Sequence, residues 1–270
     1  MERTGEIIVV KIGTSEIVRN GNGIDQVLIG NLARQIAYLR NKAGIQTVIV
    51  SSGAIASGRD IFNEVRDIRA ILHDNPMPPL TDEVVDRQVL AMFGQPELME
   101  SWRLSLTGER ILTGEALLKD EDLANFRHPL LRALMFGTVV VNGSDATYDP
   151  ATEQEIISKD NDSLAREIAR ITGANKLIML TEAQGVLDQK KRVISEITCL
   201  EDLQRIGRFP VTQDGTGDIH SKVLEARRHI TNANKVAYIV GARKGNVILR
   251  VVGGERVGTK ITLPLQGYLL

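Results

Sequence analysis

At 270 residues, 43% hydrophobic and 25% charged, the chain is long enough to close one large core or two small ones. Both fractions are globular norms, which excludes disordered, collagen-like and repeat architectures. Its 33 basic residues nearly cancel 34 acidic ones, so no global field draws it to nucleic acid or to a membrane surface, and any basic site must be local.

Short β-branched runs alternate with longer amphipathic segments, the pattern of an α/β protein with a largely parallel sheet. Ile7 to Lys11 reads as the first buried strand, Asp25 to Lys42 as a helix, and Gln46 to Val50 as the second strand. Asp60 to Glu83, with Asn75-Pro76-Met77-Pro78-Pro79 inside it, breaks the alternation and reads as a projecting loop or hairpin, a lid or an oligomer contact. Helical spacing returns over Asp86 to Trp102 and Asp122 to Phe136, followed by a strand at Thr138 to Asn142. Asp160 to Thr172, Lys176 to Thr181, Asp218 to Asn232 and Lys235 to Val240 continue the helix and strand alternation. Most of the helices open on an aspartate suited to an N-cap. Asn246 to Leu263 reads as a closing strand pair turning at Gly253-Gly254. No linker divides the chain, so 1–270 is expected to form a single domain. The lone Cys199 can make no intrachain disulfide, and Glu2 and Glu6 stand where a signal peptide needs positive charge and an apolar run, which points to a reducing cytoplasm. The nearly apolar stretch from Ala133 to Val141 is too short to span a bilayer.

Parallel sheets bind ligands beyond the carboxyl ends of their strands, and the unusual residues collect there. Lys11 ends the first strand, with Gly13 in the turn behind it. A lysine inside an apolar strand is costly unless it meets an anion, and glycine-turn N–H groups suit phosphate, although a strand-end lysine reaching solvent is the commoner case. Ser51-Ser52-Gly53-Ala54 follows the second strand with small residues that let a ligand approach the backbone, or simply caps a helix. Asn142-Gly143-Ser144-Asp145 follows the middle strand and offers an acceptor for an ammonium group. Asp160-Asn161-Asp162 places more carboxylate and amide groups at a helix start than capping requires, leaving one free to orient a lysine or substrate. Thr181 and Glu182 form a turn that could face a nucleotide. Gly215-Thr216-Gly217-Asp218-Ile219-His220-Ser221-Lys222 leads from glycines into a helix bearing a lysine, a second phosphate-binding candidate. Two lysines from distant segments meet the chief demand of phosphoryl transfer, cancellation of charge on the transferred group.

In this order the segments resemble the amino-acid kinase family, most closely its glutamate-phosphorylating branch, the glutamate 5-kinases. The resemblance is carried by Val-Lys-Ile-Gly-Thr-Ser at 10–15, Val-Ser-Ser-Gly-Ala-Ile-Ala-Ser-Gly-Arg at 50–59, Phe-Gly-Gln-Pro-Glu-Leu-Met at 93–99, Asp-Asn-Asp at 160–162, Leu-Thr-Glu at 180–182 and Gly-Thr-Gly with Lys222. It implies a three-layer αβα sandwich and transfer of the ATP γ-phosphoryl to the side-chain carboxylate of glutamate, the first step of proline synthesis. Lys11 and Lys222 would flank the transferred group and Asp162 would orient them. Ser52, Gly53, Ala54, Asn142, Asp145 and Asn161 would hold the acceptor. Lys11, Gly13, Thr181, Glu182 and the run Thr216, Gly217, Asp218, Ile219, His220, Ser221 and Lys222 would contact ATP. Magnesium would bridge the phosphates without a dedicated protein metal site, and a homodimer or tetramer would form. The chain departs from the family at Asn142-Gly143-Ser144-Asp145, where glutamate 5-kinases carry Asn-Glu-Asn-Asp. It departs again at Glu182, where they carry aspartate, and at Asp218-Ile219, where they carry Gly-Met. It also ends where many members continue into a small RNA-binding-like domain. Two alternatives follow: a kinase of the same fold acting on another small acid or amino acid, and a catalytically weak ligand sensor.

Overall fold

The computed structural model describes residues 5–19, 23–71, 78–79, 84–119, 122–143, 161–199, 201–207 and 219–263. Its centre is an eight-stranded sheet in the order β5-β6-β4-β1-β7-β9-β10-β8. These are β5 (Leu112–Leu118), β6 (Gly137–Gly143), β4 (Gln46–Ser51), β1 (Ile7–Ile12), β7 (Lys176–Thr181), β9 (Val236–Gly241), β10 (Thr259–Ile261) and β8 (Glu196–Ile197). From β5 to β9 every pairing is parallel; β10 runs antiparallel to β9, and β8 pairs parallel with β10. A two-stranded ribbon, β2 (Val18–Arg19) and β3 (Gly23–Ile24), follows the short α1 (Thr14–Ile17).

Side-chain alternation along the strands divides the core between two helical layers. Ile8, Val10 and Ile12 of β1 pack with α2 (Gln26–Tyr38), α4 (Val84–Gly108) and α8 (Val247–Val252). Ile7 and Val9 pack on the opposite face with α5 (Leu123–Phe136), α6 (Asn161–Thr172) and α7 (Ile219–His229). The same alternation assigns Lys11 to the α6 face, and it assigns Asn142, two residues beyond Val140 in β6, to the α4 face. This is the three-layer sandwich expected from the sequence.

Two expectations need correction. Within Asp60 to Glu83, residues 60–71 are not a loop: they belong to α3 (Ala54–Ile71), which lies antiparallel against α4, while residues 72–77 and 80–83 fall outside the described residues. Gly58 and Gly94 bring the two backbones together. A Cβ on Gly94 would stand 1.9 Å from the Ala54 carbonyl oxygen, and one on Gly58 would stand 1.9 Å from that of Leu90. Phe62 and Phe93 close the same crossing edge to face, 5.0 Å between ring centroids. Asn246 to Leu263 is likewise not a strand pair, because Val247, Ile248 and Val251 present an apolar stripe of helical spacing and form α8 before the single strand β10.

The aspartates also divide. Asp25 caps α2 by accepting from the Leu28 N–H at 3.1 Å. Asp122 is already in helical conformation, so its carboxylate turns back to the Lys119 N–H, at 2.7 Å, instead of capping α5. The free carbonyls at the end of α5 are met from outside: Arg40 donates to the carbonyls of Leu134, Met135 and Gly137, each at 3.0 Å.

Gly94→Ala should lower unfolding stability by about 1–3 kcal/mol, read from urea midpoints, because backbone rather than a flexible side chain blocks the new methyl. His229, buried at the end of α7, supplies a pH test. Burial and the Lys235 ammonium push its imidazole down to about 4, which the hydrogen bond to the Asn175 backbone only partly offsets. The unfolded chain then binds the extra proton first, so the stability contributed by neutral His229 is complete above about pH 6.5 and declines as pH falls toward 4. A His229→Gln variant should lose on the order of 2 kcal/mol less than wild type between pH 7 and 4.5 in urea titrations.

Candidate active site

Because β6, β4, β1, β7 and β9 are all parallel, their carboxyl ends align along one edge, and the lysine of β1 sits at its middle. Lys11 projects toward α6, whose second residue is Asp162. The Lys11 ammonium lies 2.6 Å from Asp162 Oδ1. Lys222, in the first turn of α7, donates to Oδ2 at 2.9 Å and Oδ1 at 3.1 Å. All three are buried, Asp162 completely. Two ammonium groups share this one carboxylate, and the buried Glu16 carboxylate supplies the second negative charge of the corner.

Burial alone would raise the Asp162 carboxyl, but the adjacent charges of Lys11 and Lys222 and their hydrogen bonds outweigh it and hold the carboxyl well below the usual carboxylate range. Lys222 is shifted down, first by burial and then by repulsion from Lys11, against the attraction of Asp162 and Glu16. Nothing in the spacing of the sequence marks Glu16. It is buried in α1, accepts from Ser15 Oγ at 2.9 Å, and directs its carboxylate at the Gly13 turn, where a Cβ would lie 2.3 Å from Glu16 Oε2 and 3.7 Å from Lys11 Nζ. Gly13 is therefore glycine for room: any side chain there would fill the space beside the lysine. Arg243, also overlooked, holds this corner from outside by pairing with Asp25 at 2.7 Å and donating to the Glu16 carbonyl. Its signal, a lone arginine after β9, carried no pattern of its own.

On the other side of Lys11 a line of polar groups links two strand ends, those of β4 and β6, through the start of α6. Asn161 Nδ2 donates to Ser52 Oγ at 3.0 Å, and its Oδ1 accepts from the Gly143 N–H at 3.3 Å. Asn142, fully buried, donates to Gln95 Oε1 of α4 at 2.8 Å. Gly53 adopts φ 114°, a left-handed-side conformation that glycine accepts, and a Cβ there would meet Ile17 Cγ2 at 2.8 Å. Ala54 opens α3 and is buried. The structure thus brings together Lys11, Gly13, Ser52, Gly53, Asn142, Asn161, Asp162 and Lys222.

Thr181 ends β7 and accepts from the Ala242 N–H at 2.8 Å, fixing the turn that bears Glu182 beside the end of β9. Ile219, His220 and Ser221 form the start of α7 with Lys222. Asp145, Thr216, Gly217 and Asp218 lie outside the described residues. Among the described residues no three His, Cys, Asp or Glu side chains gather as a metal site, and no helix is long and apolar enough to cross a membrane.

Comparison with known proteins identifies the family. The family model described as the amino acid kinase family matches residues 6–241. A glutamate 5-kinase of Shewanella woodyi is 32% identical over 94% of this chain and 67% of its own length. Those of Aliivibrio fischeri (32% identical, 98% of this chain, 70% of the relative) and of Caldanaerobacter subterraneus subsp. tengcongensis (30%, 96% and 68%) are similarly related. The chain belongs to the amino acid kinase family.

Asp162→Asn should lower stability by about 3–5 kcal/mol at pH 7, since it leaves two buried ammonium groups facing one another. The sign follows from the depressed carboxyl: its contribution is complete above the unfolded value near 4 and is lost progressively as pH falls from there through the lower folded one. In a Lys222→Met background the same substitution should cost markedly less, a coupling measurable in a double-mutant cycle by urea denaturation.

Proposed function

We propose that this chain transfers the γ-phosphoryl group of ATP to the side-chain carboxylate of glutamate, the reaction named by its glutamate 5-kinase relatives. The observation that carries the proposal is the buried Lys11–Asp162–Lys222 cluster, lying between a polar acceptor side at β6 and β4 and a nucleotide side at β7 and α7. The two ammonium groups would neutralise charge on the phosphoryl oxygens as it spreads in the transition state, with Asp162 fixing their spacing. Ser52, Asn161, Asn142 and Asp145 would hold the acid so that one carboxylate oxygen attacks the γ-phosphorus. That P–O bond forms as the bond to the β-phosphate oxygen breaks, giving an acyl phosphate and ADP.

On the nucleotide side, the turn at Thr181 and Glu182 and the segment from Thr216 to Lys222, with Gly13 below, would receive ATP. Both oxygens of Asp162 are already engaged by lysines, so the chemistry of the described residues fits a magnesium ion carried by the nucleotide phosphates and not by a protein cage. Magnesium there would neutralise phosphate charge. Cytoplasmic placement and self-association as a dimer or tetramer belong to the same proposal, the latter to be read by sedimentation velocity. The survival of both lysines with their shared carboxylate favours an enzyme over a sensor.

The decisive experiment presents glutamate, aspartate, N-acetylglutamate and 2-aminoadipate with ATP and magnesium and traps acyl phosphate with hydroxylamine. Glutamate should give the hydroxamate; release of ADP with another acid alone would reassign the acceptor. Lys222→Met should reduce kcat on the order of a hundredfold or more while the KM values for ATP and acid change little. Near-normal turnover would remove Lys222 from the mechanism.

A further inference from the structure

Glu16 has no part in the reaction proposed above, yet it is buried in the corner where the phosphates would arrive. Among the described residues its carboxylate accepts one hydrogen bond, from Ser15 Oγ at 2.9 Å, and forms no ion pair, since both lysines turn to Asp162. A glutamate held out of water with so little direct support is costly, and the charges that offset the cost are Lys222, whose ammonium it attracts, and Lys11 across the Gly13 turn. Glu16 Oε2 stands 2.3 Å from the point a Gly13 Cβ would take, and that point lies 3.7 Å from Lys11 Nζ. The room that glycine leaves beside the lysine is therefore filled by the chain's own carboxylate, an anion in the seat of an anion. The backbone here is pinned, because Arg243 donates to the Glu16 carbonyl at 3.4 Å and Ile17 is fully buried in the core. The carboxylate can leave that seat only by rotation of its own side chain.

Resting on the nucleotide assignment above, we propose that Glu16 is a specificity-determining residue that makes phosphate binding beside Lys11 depend on a divalent cation. With Glu16 and Asp162 set against Lys11 and Lys222, the corner is balanced before a ligand enters, and a bare di- or triphosphate brings its charge against the Glu16 carboxylate. A phosphate chain that carries magnesium arrives with much of that charge cancelled, and the same carboxylate then favours the ligand it would otherwise repel. Glu16 thus separates metal-loaded nucleotide from free nucleotide and from bare inorganic phosphates. Its charge, and not its shape, does the sorting.

The test is calorimetric binding of ADP to the full chain, once with excess magnesium and once with EDTA, for wild type, Glu16→Gln and Glu16→Leu. Gln keeps the size and can keep the Ser15 hydrogen bond while removing the charge; Leu, close in size, removes both. Each variant should bind metal-free ADP on the order of tenfold more tightly than wild type, while its affinity for ADP with magnesium shifts by about threefold at most. Pyrophosphate should repeat the pattern. A glutamate that only supports the fold would give variants that bind both forms less well, and damage to the site cannot produce a gain for one of them. Unchanged or weakened binding of metal-free ADP overturns the proposal, as does a wild type that binds ADP equally with and without magnesium or not at all, or failure of both variants to fold. If the gain appears but no acid is phosphorylated, the role of Glu16 stands and the kinase reading falls; if glutamate is phosphorylated and the gain is absent, the reverse holds.

Discussion

One carboxylate shared by two lysines governs this molecule. Asp162 has no solvent exposure, and its two partners arrive from separate elements, Lys11 from the central strand and Lys222 from α7. Such a group is costly to bury, so the surrounding fold must hold all three components in register. The sheet does so through β1, which is paired on both sides, while α6 and α7 pack over its face through Ile168, Val223 and Ala226. The result is a dense cluster of buried charges, closed on its other side by Glu16 and held in place by packing.

Strand order then sorts the chemistry. Small amides and hydroxyls lie beyond β6 and β4, the lysines lie at β1, and the turns of β7 and β9 lie on the far side. The proposed reaction would use this order, with a different half of the same parallel edge for each reactant, the general placement for ligands in sheets of this kind.

Much of this was legible in the sequence, for identifiable reasons. The five central strands are β-branched and buried on both faces, so their runs stand out, and the helices that cover them carry clear apolar stripes. Lys11 was conspicuous as a charge inside such a run. Less legible was β5, an edge strand whose mixture of glycine, glutamate and half-exposed residues lacks either periodicity. Residues 60–71 escaped because that half of α3 turns mostly exposed residues to solvent and the nearby prolines suggested a loop. Gln95 and Glu16 were hidden for another reason: their meaning lies in what stands opposite them, which no spacing within a helix reveals.

The close crossing of α3 and α4 has a mechanical consequence. Gly94 abuts Ala54, two residues after Ser52, and Gln95 follows Gly94 immediately. Helices packed backbone to backbone at this point can slide or tilt little relative to one another, so Ser52 and Gln95 form parts of a single rigid wall. The two side chains cannot part without separating the helices that carry them, so this wall keeps its shape whatever its neighbours do.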